Sequence, residues 1–365
     1  MSFYKKIIKP IAFSQDAERV HEKATALGKS LGNSKLASSV ISSFYNYENK
    51  KLEQKILNIN FKNPVGLAAG FDYEAKLTQI IPHIGFGFMT IGSITLGSYE
   101  GNTPPRLGRL PKSKSLLVNK GLKTIGTKKI LESLKNKELK IPLGISVAKT
   151  NCKKTAEDEK AIQDYVGSFR LIKKYNLGDY YELNISCPNA FGGEAFTTPE
   201  KLNLLLKEID KLRFTKPLFL KMPVDFSASE TKELCETAKK YNVQGLILGN
   251  LTKNRNNHLF DKEEIQKAGN GNFSGLPTKD KSNELIRFAY KNYKERFVII
   301  GCGGIFSAED AYEKIKNGAS IVQLITGMIY EGPALIKKIN KGLTSLLEKD
   351  GYKNISEAIG TNCKN

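Results

Sequence analysis

Phe297-Val298-Ile299-Ile300-Gly301-Cys302-Gly303-Gly304 and, further on, Ser320-Ile321-Val322-Gln323-Leu324-Ile325-Thr326-Gly327 are two short apolar runs that each end in glycine, with a charged, amphipathic stretch between them. A run that is apolar at nearly every position is what a strand buried on both faces requires, and parallel sheets are built from such strands. Six more runs of this kind lie upstream: Pro64–Gly70, Phe86–Thr95, Pro142–Lys149, Tyr180–Cys187, Pro217–Pro223 and Gly245–Asn250. Helical patterns fill most of the gaps, among them Glu159–Tyr175, Pro199–Leu212, Ser229–Tyr241 and Asp280–Tyr293. Eight strand candidates in β-α alternation predict an α/β chain folded as a (β/α)8 TIM barrel, with an open doubly wound sheet as the runner-up.

Ahead of residue 64 the pattern differs. Ala17, Val20, Ala24 and Leu27 recur at helical spacing, as do Leu36, Val40, Ile41 and Phe44, with a turn-like Gly32-Asn33-Ser34 between them. The expected organisation is a helical extension over residues 1–45, a barrel over 46–345 and a tail over 346–365. A chain of 365 residues, 40% of them hydrophobic, is long enough for this plan, since single α/β barrels run to roughly 250 residues or more.

The net charge of +20 admits nucleic acid, anionic lipid or anionic small molecules as partners. The lysines are spread along the chain rather than clustered, so the favoured reading is a solvated surface with no nucleic-acid partner. Five cysteines without a Cys-x-x-Cys pair argue against a disulfide scaffold or a zinc site and suit a reducing compartment. Lys5, Lys6 and Lys9 are followed by no unbroken apolar stretch of the secretory kind. No run approaches the roughly 18 apolar residues that a bilayer span needs. A soluble or peripheral protein is expected.

In a barrel, chemistry sits where the strands end at their C-terminal face. Those ends read Ala69-Gly70, Gly92-Ser93, Lys149, Asn184 to Asn189, Lys221, Gly249-Asn250, Gly301 to Gly304 and Thr326-Gly327, few of which a hydrophobic core needs. Glycine turns after strands seven and eight are a frequent phosphate site, because main-chain N–H groups can approach an oxyanion there. Lys221 projects from the apolar Leu218-Phe219-Leu220 run and needs an anionic partner, either an internal carboxylate or the ring of a reduced flavin. In Asn184-Ile185-Ser186-Cys187-Pro188-Asn189 two amides flank a thiol. Asparagine offers both donor and acceptor to a pyrimidine, and a thiol with a pKa near ~8.5 can serve as a base. Cys187 is therefore the candidate base. Cys302 reads as a packed thiol, and no metal ligands are expected.

These residues also carry a family resemblance. Lys62-Asn63-Pro64-Val65-Gly66-Leu67-Ala68-Ala69-Gly70-Phe71-Asp72, Gly85-Phe86-Gly87-Phe88 leading to Ile91-Gly92-Ser93-Ile94-Thr95, Gly101-Asn102, Pro105-Arg106, Asn184 to Asn189, Ile300 to Ile305 and Val322-Gln323 with Gly327 together resemble the dihydroorotate dehydrogenases, over residues 15 to 340. The resemblance implies an FMN-binding barrel. Its flavin contacts would be Ala69, Gly70, Ser93, Ser146, Asn184, Lys221, Gly249, Gly275, Gly303, Gly304, Thr326 and Gly327. Its substrate contacts would be Asn119, Asn184, Asn189 and Asn250, with Cys187 as the base that takes a proton from C5 of dihydroorotate while hydride leaves C6. The segment Asp16 to Glu22 is similar to the first helix of the quinone-dependent branch, which implies a peripheral membrane contact on the cytoplasmic face and a quinone tunnel bordered by His21 and Arg109.

Four departures stand out. Quinone-dependent members generally use serine where this chain has Cys187. Tyr73 stands where the family keeps a lysine. The substrate loop reads Val118-Asn119-Lys120-Gly121-Leu122-Lys123, and Ser146 replaces an asparagine. Lys120 or Lys123 is left to supply the missing positive charge. The competing enzyme readings are a related FMN barrel acting on another dihydropyrimidine or on RNA dihydrouridine, and a dihydroorotate dehydrogenase with a soluble acceptor such as fumarate or NAD. The RNA version normally carries a further helical domain, for which residues 346–365 are too short. A degenerate flavoprotein or a basic nucleic-acid-binding barrel is a non-enzyme alternative, against which Cys187, Lys221 and the amides speak.

Overall fold

The computed structural model describes residues 3–191 and 193–363. The outermost residues of the extension and the tail, Met1, Ser2, Lys364 and Asn365, lie outside it, as does Gly192. All eight expected runs form strands of one closed parallel barrel: β1 (Val65–Leu67), β2 (Phe88–Ile94), β3 (Leu143–Val147), β4 (Tyr180–Asn184), β5 (Leu218–Met222), β6 (Gly245–Leu248), β7 (Val298–Cys302) and β8 (Ile321–Leu324). Neighbours in sequence are neighbours in the barrel, and β8 closes on β1 with Val322 opposite Val65. Closure excludes the open sheet.

The two-residue period of a strand sorts each run into an inner and an outer face. Outward residues such as Leu67, Ile145, Leu183, Leu220 and Val322 join one large core with the surrounding helices. Inward residues form layers. Phe88, Tyr180, Phe219, Ile247, Ile300 and Ile321 make an apolar floor, sealed by Phe61. That floor fits because β1 and β3 offer glycine opposite the rings: a Cβ on Gly66 would come within 2.3 Å of Phe88, and one on Gly144 within 2.4 Å of Tyr180. Two residues along, Thr90, Glu182 and Gln323 form a buried polar layer, in which Glu182 Oε1 accepts from Thr90 Oγ1 (2.6 Å) and Gln323 Nε2 (2.8 Å). Two residues further still on β4 comes Asn184, which stands level with Lys221 of β5, at the open end.

The extension contains the two expected helices, α1 (Ala17–Gly32) and α2 (Lys35–Tyr45). Asp16 caps α1 by accepting from the Arg19 N–H (2.9 Å), and Ser34 caps α2 by accepting from Ala37 (3.3 Å). An earlier helical segment, Tyr4–Phe13, precedes them and docks on the helix after β8, where the Tyr4 hydroxyl donates to Ile329 O (2.6 Å) and Phe13 packs edge-on against Tyr330. The last long helix, Ala334–Asp350, runs across position 345, and Ile355 and Ala358 beyond it belong to the main core.

Two sheets have no counterpart in the expected runs. A hairpin pairs Gln54–Ile56 with Ile59–Phe61 and carries the Phe61 plug. A three-stranded sheet joins Leu107–Leu110, Ser115–Val118 and Asn272–Gly275 above the open end of the barrel.

Candidate active site

β7 and β8 deliver Gly303-Gly304 and Thr326-Gly327 to the open end, where with Gly275 and Thr278 they line a cavity. The main-chain N–H groups of Gly303 and Gly304 donate to no other group among the described residues. Gly303 sits at φ +112, and a Cβ there would lie 2.5 Å from Thr278 Oγ1; a Cβ on Gly327 would lie 2.0 Å from Ile305 O. The turn therefore has to be bare main chain. Free N–H donors on bare main chain suit a phosphate.

Ala69, Lys221, Asn250 and Thr326 also line a second, larger cavity, so the two spaces adjoin. Lys221 is 4% exposed, and its ammonium has no hydrogen bond or ion pair among the described residues. An unpaired buried cation is costly, and no internal carboxylate pairs with it: Glu182, one layer deeper, bonds Thr90 and Gln323 through Oε1, and its partnerless Oε2 makes no ion pair with Lys221. The arrangement suits a ring that gains negative charge, and with the phosphate cradle beside it the donor set fits FMN.

Across from Lys221 on the neighbouring strand, Asn184 donates through Nδ2 to Ser93 Oγ (2.8 Å), which shares a hydrogen bond with Ser146 Oγ (2.8 Å). Asn250 Nδ2 donates to Ser186 O (2.9 Å) and Oγ (2.8 Å), and Ser186 Oγ donates to Lys221 O (2.8 Å). These bonds fix the turn that carries Cys187. Lys149 Nζ holds the loop beyond it, donating to Thr155 O and Phe191 O, both at 2.9 Å.

The Cys187 thiol is half-buried and faces the larger cavity. Burial pushes its pKa up to about 11, against the downward pull of the Asn189 N–H, Lys221 and Lys149. The sequence leaves that direction open, because burial and a nearby cation act oppositely; in the structure burial wins. Cys302, expected to be a packed thiol, is half-buried and lines the cradle, and burial raises its pKa also.

Of the expected flavin contacts, Ala69, Gly70, Ser93, Asn184, Lys221, Gly275, Gly303, Gly304, Thr326 and Gly327 line the two cavities. Ser146 and Gly249 do not. Ser146 is fully buried behind Ser93, and Gly249 (φ +131) passes so close to β7 that a Cβ would lie 2.0 Å from Cys302 O. Of the expected substrate contacts, Asn184, Asn189 and Asn250 line the larger cavity, whereas Asn119 spends its Oδ1 on Asn102 Nδ2 (2.9 Å). His21 reaches the cavity from α1. Arg109 does not line it: its guanidinium donates to Gln15 O (2.8 Å) and lies 4.7 Å from the Phe13 ring centroid, which ties the extension to the three-stranded sheet.

His21 Nε2 bonds the Phe71 carbonyl (2.8 Å) and so carries the proton, while its ring stacks on Tyr73 at 5.7 Å. Burial first, then the Lys120 charge, push its pKa down to about 4. The ring is neutral, and Nδ1 is a buried acceptor without a partner. Sequence reasoning missed the apolar lining, Phe71, Leu107, Leu116, Leu122, Leu251 and Ile329. Part of it was signalled: Leu116 and Val118 share a face by the period of two, and the Pro111 to Lys114 turn marks their hairpin.

Comparison with known proteins agrees with this geometry. The family model described as dihydroorotate dehydrogenase matches residues 51–347. The chain is similar to the dihydroorotate dehydrogenase (quinone) of Crocosphaera subtropica, 40% identical with 87% of this chain and 84% of that protein covered. It is similar also to the protein of that name from Nostoc punctiforme, 38% identical over 100% and 99%. Among solved structures, the Eimeria tenella enzyme in complex with ferulenol aligns with a TM-score of 0.83 at 26% identity, over 96% of both chains.

Proposed function

This chain belongs to the dihydroorotate dehydrogenase family, and from that premise we propose that it holds FMN and oxidises dihydroorotate to orotate in pyrimidine biosynthesis, with a quinone as the electron acceptor. One observation carries the reading: the buried residue Lys221, whose ammonium is unpaired among the described residues, lines both the cavity of the glycine cradle and the adjoining cavity of the Cys187 thiol. FMN, when bound, supplies the acceptor for the hydride that leaves C6 of the substrate. Gly275, Gly303, Gly304, Thr326 and Gly327 hold its phosphate end, and Ala69, Gly70, Ser93, Asn184 and Lys221 hold its ring, with Ser146 and Gly249 supporting them from behind.

Cys187 removes the proton from C5. Asn184, Asn189 and Asn250 orient the pyrimidine amides, and Asn119 acts through Asn102, which also donates to Asn189 O (3.0 Å). The apolar wall of Leu107, Leu116, Val118 and Ile329 keeps water from the reacting face.

Quinone use rests on α1 and α2. His21 lines the cavity and keeps a buried Nδ1 without a hydrogen-bond partner, while Arg109 fastens the preceding segment. Leu27, Leu36, Val40 and Phe44 are exposed on these helices and Ile11 on the segment before them, with lysines nearby, the pattern of a surface that rests in a lipid interface. No helix among the described residues is long and apolar enough to cross a membrane. The contact in this reading is peripheral and on the cytoplasmic face.

The test is anaerobic mixing of the FMN-loaded protein with dihydroorotate while the flavin absorbance is followed. Bleaching, then reoxidation by a quinone but not by fumarate or NAD, is the expected outcome. A flavin that stays oxidised would overturn the substrate assignment. Reoxidation by fumarate alone would overturn the acceptor.

A further inference from the structure

Two lysines of the substrate loop are close to the larger cavity, and they differ in one respect. Lys123 is ion-paired, with Nζ 3.2 Å from Glu22 Oε1 and 3.6 Å from Glu18 Oε1. Lys120 is 9% exposed, and its ammonium has no hydrogen-bond partner. Glu18 Oε1 lies 4.0 Å away, at the outer limit of an ion pair and too far for a hydrogen bond, and itself accepts no hydrogen bond. The other Glu18 oxygen is committed to Arg106 Nε (2.8 Å). The ammonium stands instead 4.2 Å from the centroid of the Tyr73 ring. A ring face attracts a cation but accepts none of its hydrogen bonds at full strength.

Charge points the same way. The groups around the cluster are Glu18 and Glu22 from α1, with Arg106, Lys120 and Lys123 from the three-stranded sheet and its loop, so one positive charge is in surplus. Neutral His21 and Tyr73 complete the surround. Buried N–H donors without acceptors in a cavity wall are a site for an anion.

We infer that Lys120 is the residue that binds the carboxylate of the substrate, with the Tyr73 ring fixing the position of its ammonium. This inference rests on the proposed function and names the anionic contact which that reading lacks. It also accounts for Tyr73: a second lysine there would face Lys120 and repel it, whereas an aromatic face supports it. The positive charge has moved from the turn after β1 to the loop after Ser115–Val118. Burial, ahead of the opposing Glu18 charge, lowers the pKa of Lys120 to about 8. The ammonium is thus present below that pH and lost above it.

The experiment is calorimetric titration of the FMN-loaded protein with orotate and with uracil, which lacks the carboxylate. Lys120→Met should weaken orotate binding by about 10- to 100-fold, the range for losing a charge-assisted bond, and leave uracil unchanged. Lys120→Arg should retain most of the affinity, and Lys123→Met should stay within about threefold of the parent because its charge is already neutralised. Orotate affinity of the parent should fall as pH rises from 7 to 9, and that fall should vanish in Lys120→Met. Met removes a buried charge that makes no hydrogen bond and meets Glu18 only at 4.0 Å, so the melting temperature should not drop. Equal orotate affinity in Lys120→Met and parent, a loss carried by Lys123→Met, or equal losses for orotate and uracil would each overturn the inference while leaving the proposed function standing. A parent that binds FMN but no orotate would overturn both.

Discussion

The two ends of the cavity are built from different materials. At the cradle end the working groups are main-chain N–H donors of Gly303 and Gly304, shaped by turns where a side chain would collide with Thr278 or Ile305. At the mouth they are side chains from separate parts of the chain: His21 from α1, Tyr73 from the turn after β1, Val118 and Lys120 from the hairpin, Leu251 from the turn after β6. Main chain binds a phosphate whatever the neighbouring side chains are, provided glycine stays where it must. A side-chain site can be rewired one residue at a time, and here it departs from the family pattern at Tyr73, Val118 and Lys120. In the proposed assignment the cofactor end is thus the one set by main-chain geometry, and the substrate end the one set by the pairing of a few charges.

The largest expected effect lies between the two ends. Cys187→Ala should slow anaerobic flavin bleaching by dihydroorotate about 10²–10⁴-fold without loss of bound FMN. A change of only a few-fold would make the thiol structural. With the thiol pKa raised to about 11, the reactive thiolate is the minor form at neutral pH. The bleaching rate constant at saturating substrate should then rise roughly tenfold per pH unit from 7 to 9. Because Lys120 loses its proton across the same range, the half-saturating substrate concentration should rise with it. Stopped-flow bleaching at several pH values separates the two.

A smaller effect probes the cradle. Gly303→Val places a branched side chain at φ +112 against Thr278, and strain of about 1–3 kcal/mol corresponds to FMN affinity lower by roughly 5- to 100-fold. Fluorescence titration of the apoprotein reads this directly, and an unchanged affinity would mean that the cradle is not the phosphate site. The smallest belongs to the mouth. Val118→Asn adds an amide to the apolar wall and should strengthen orotate binding by about 2- to 10-fold, the worth of one neutral hydrogen bond. Weakened binding would show that the ligand meets that wall with an apolar edge.

The barrel strands were legible because each is a short run with no polar residue to spare, and a closed parallel sheet is what such runs can build. The sheets that escaped notice escaped for local reasons. The hairpin of Gln54–Phe61 turns through Leu57 and Asn58, both at positive φ (48° and 64°), a conformation that usually announces itself with Asn-Gly or Asp-Gly. The third strand of the upper sheet, Asn272–Gly275, pairs with Ser115–Val118 far away along the chain, and no local pattern records such a partner.

The sequence by itself determined the alternation of strands and helices, the caps of α1 and α2, the glycines of the cradle, and the presence of a thiol and amides at strand ends. Each follows from one residue's own conformational range or from a fixed period along the chain. Only the tertiary structure decided which charged groups stay unpaired. Lys221 makes no ion pair and Lys120 meets Glu18 only at 4.0 Å, because Glu182 turns its Oε1 to Thr90 and Gln323 and Glu18 turns its Oε2 to Arg106. Likewise, the thiol pKa follows from how much water the fold removes around Cys187. Pairing and desolvation depend on distances between groups far apart in sequence, which spacing along the chain does not encode.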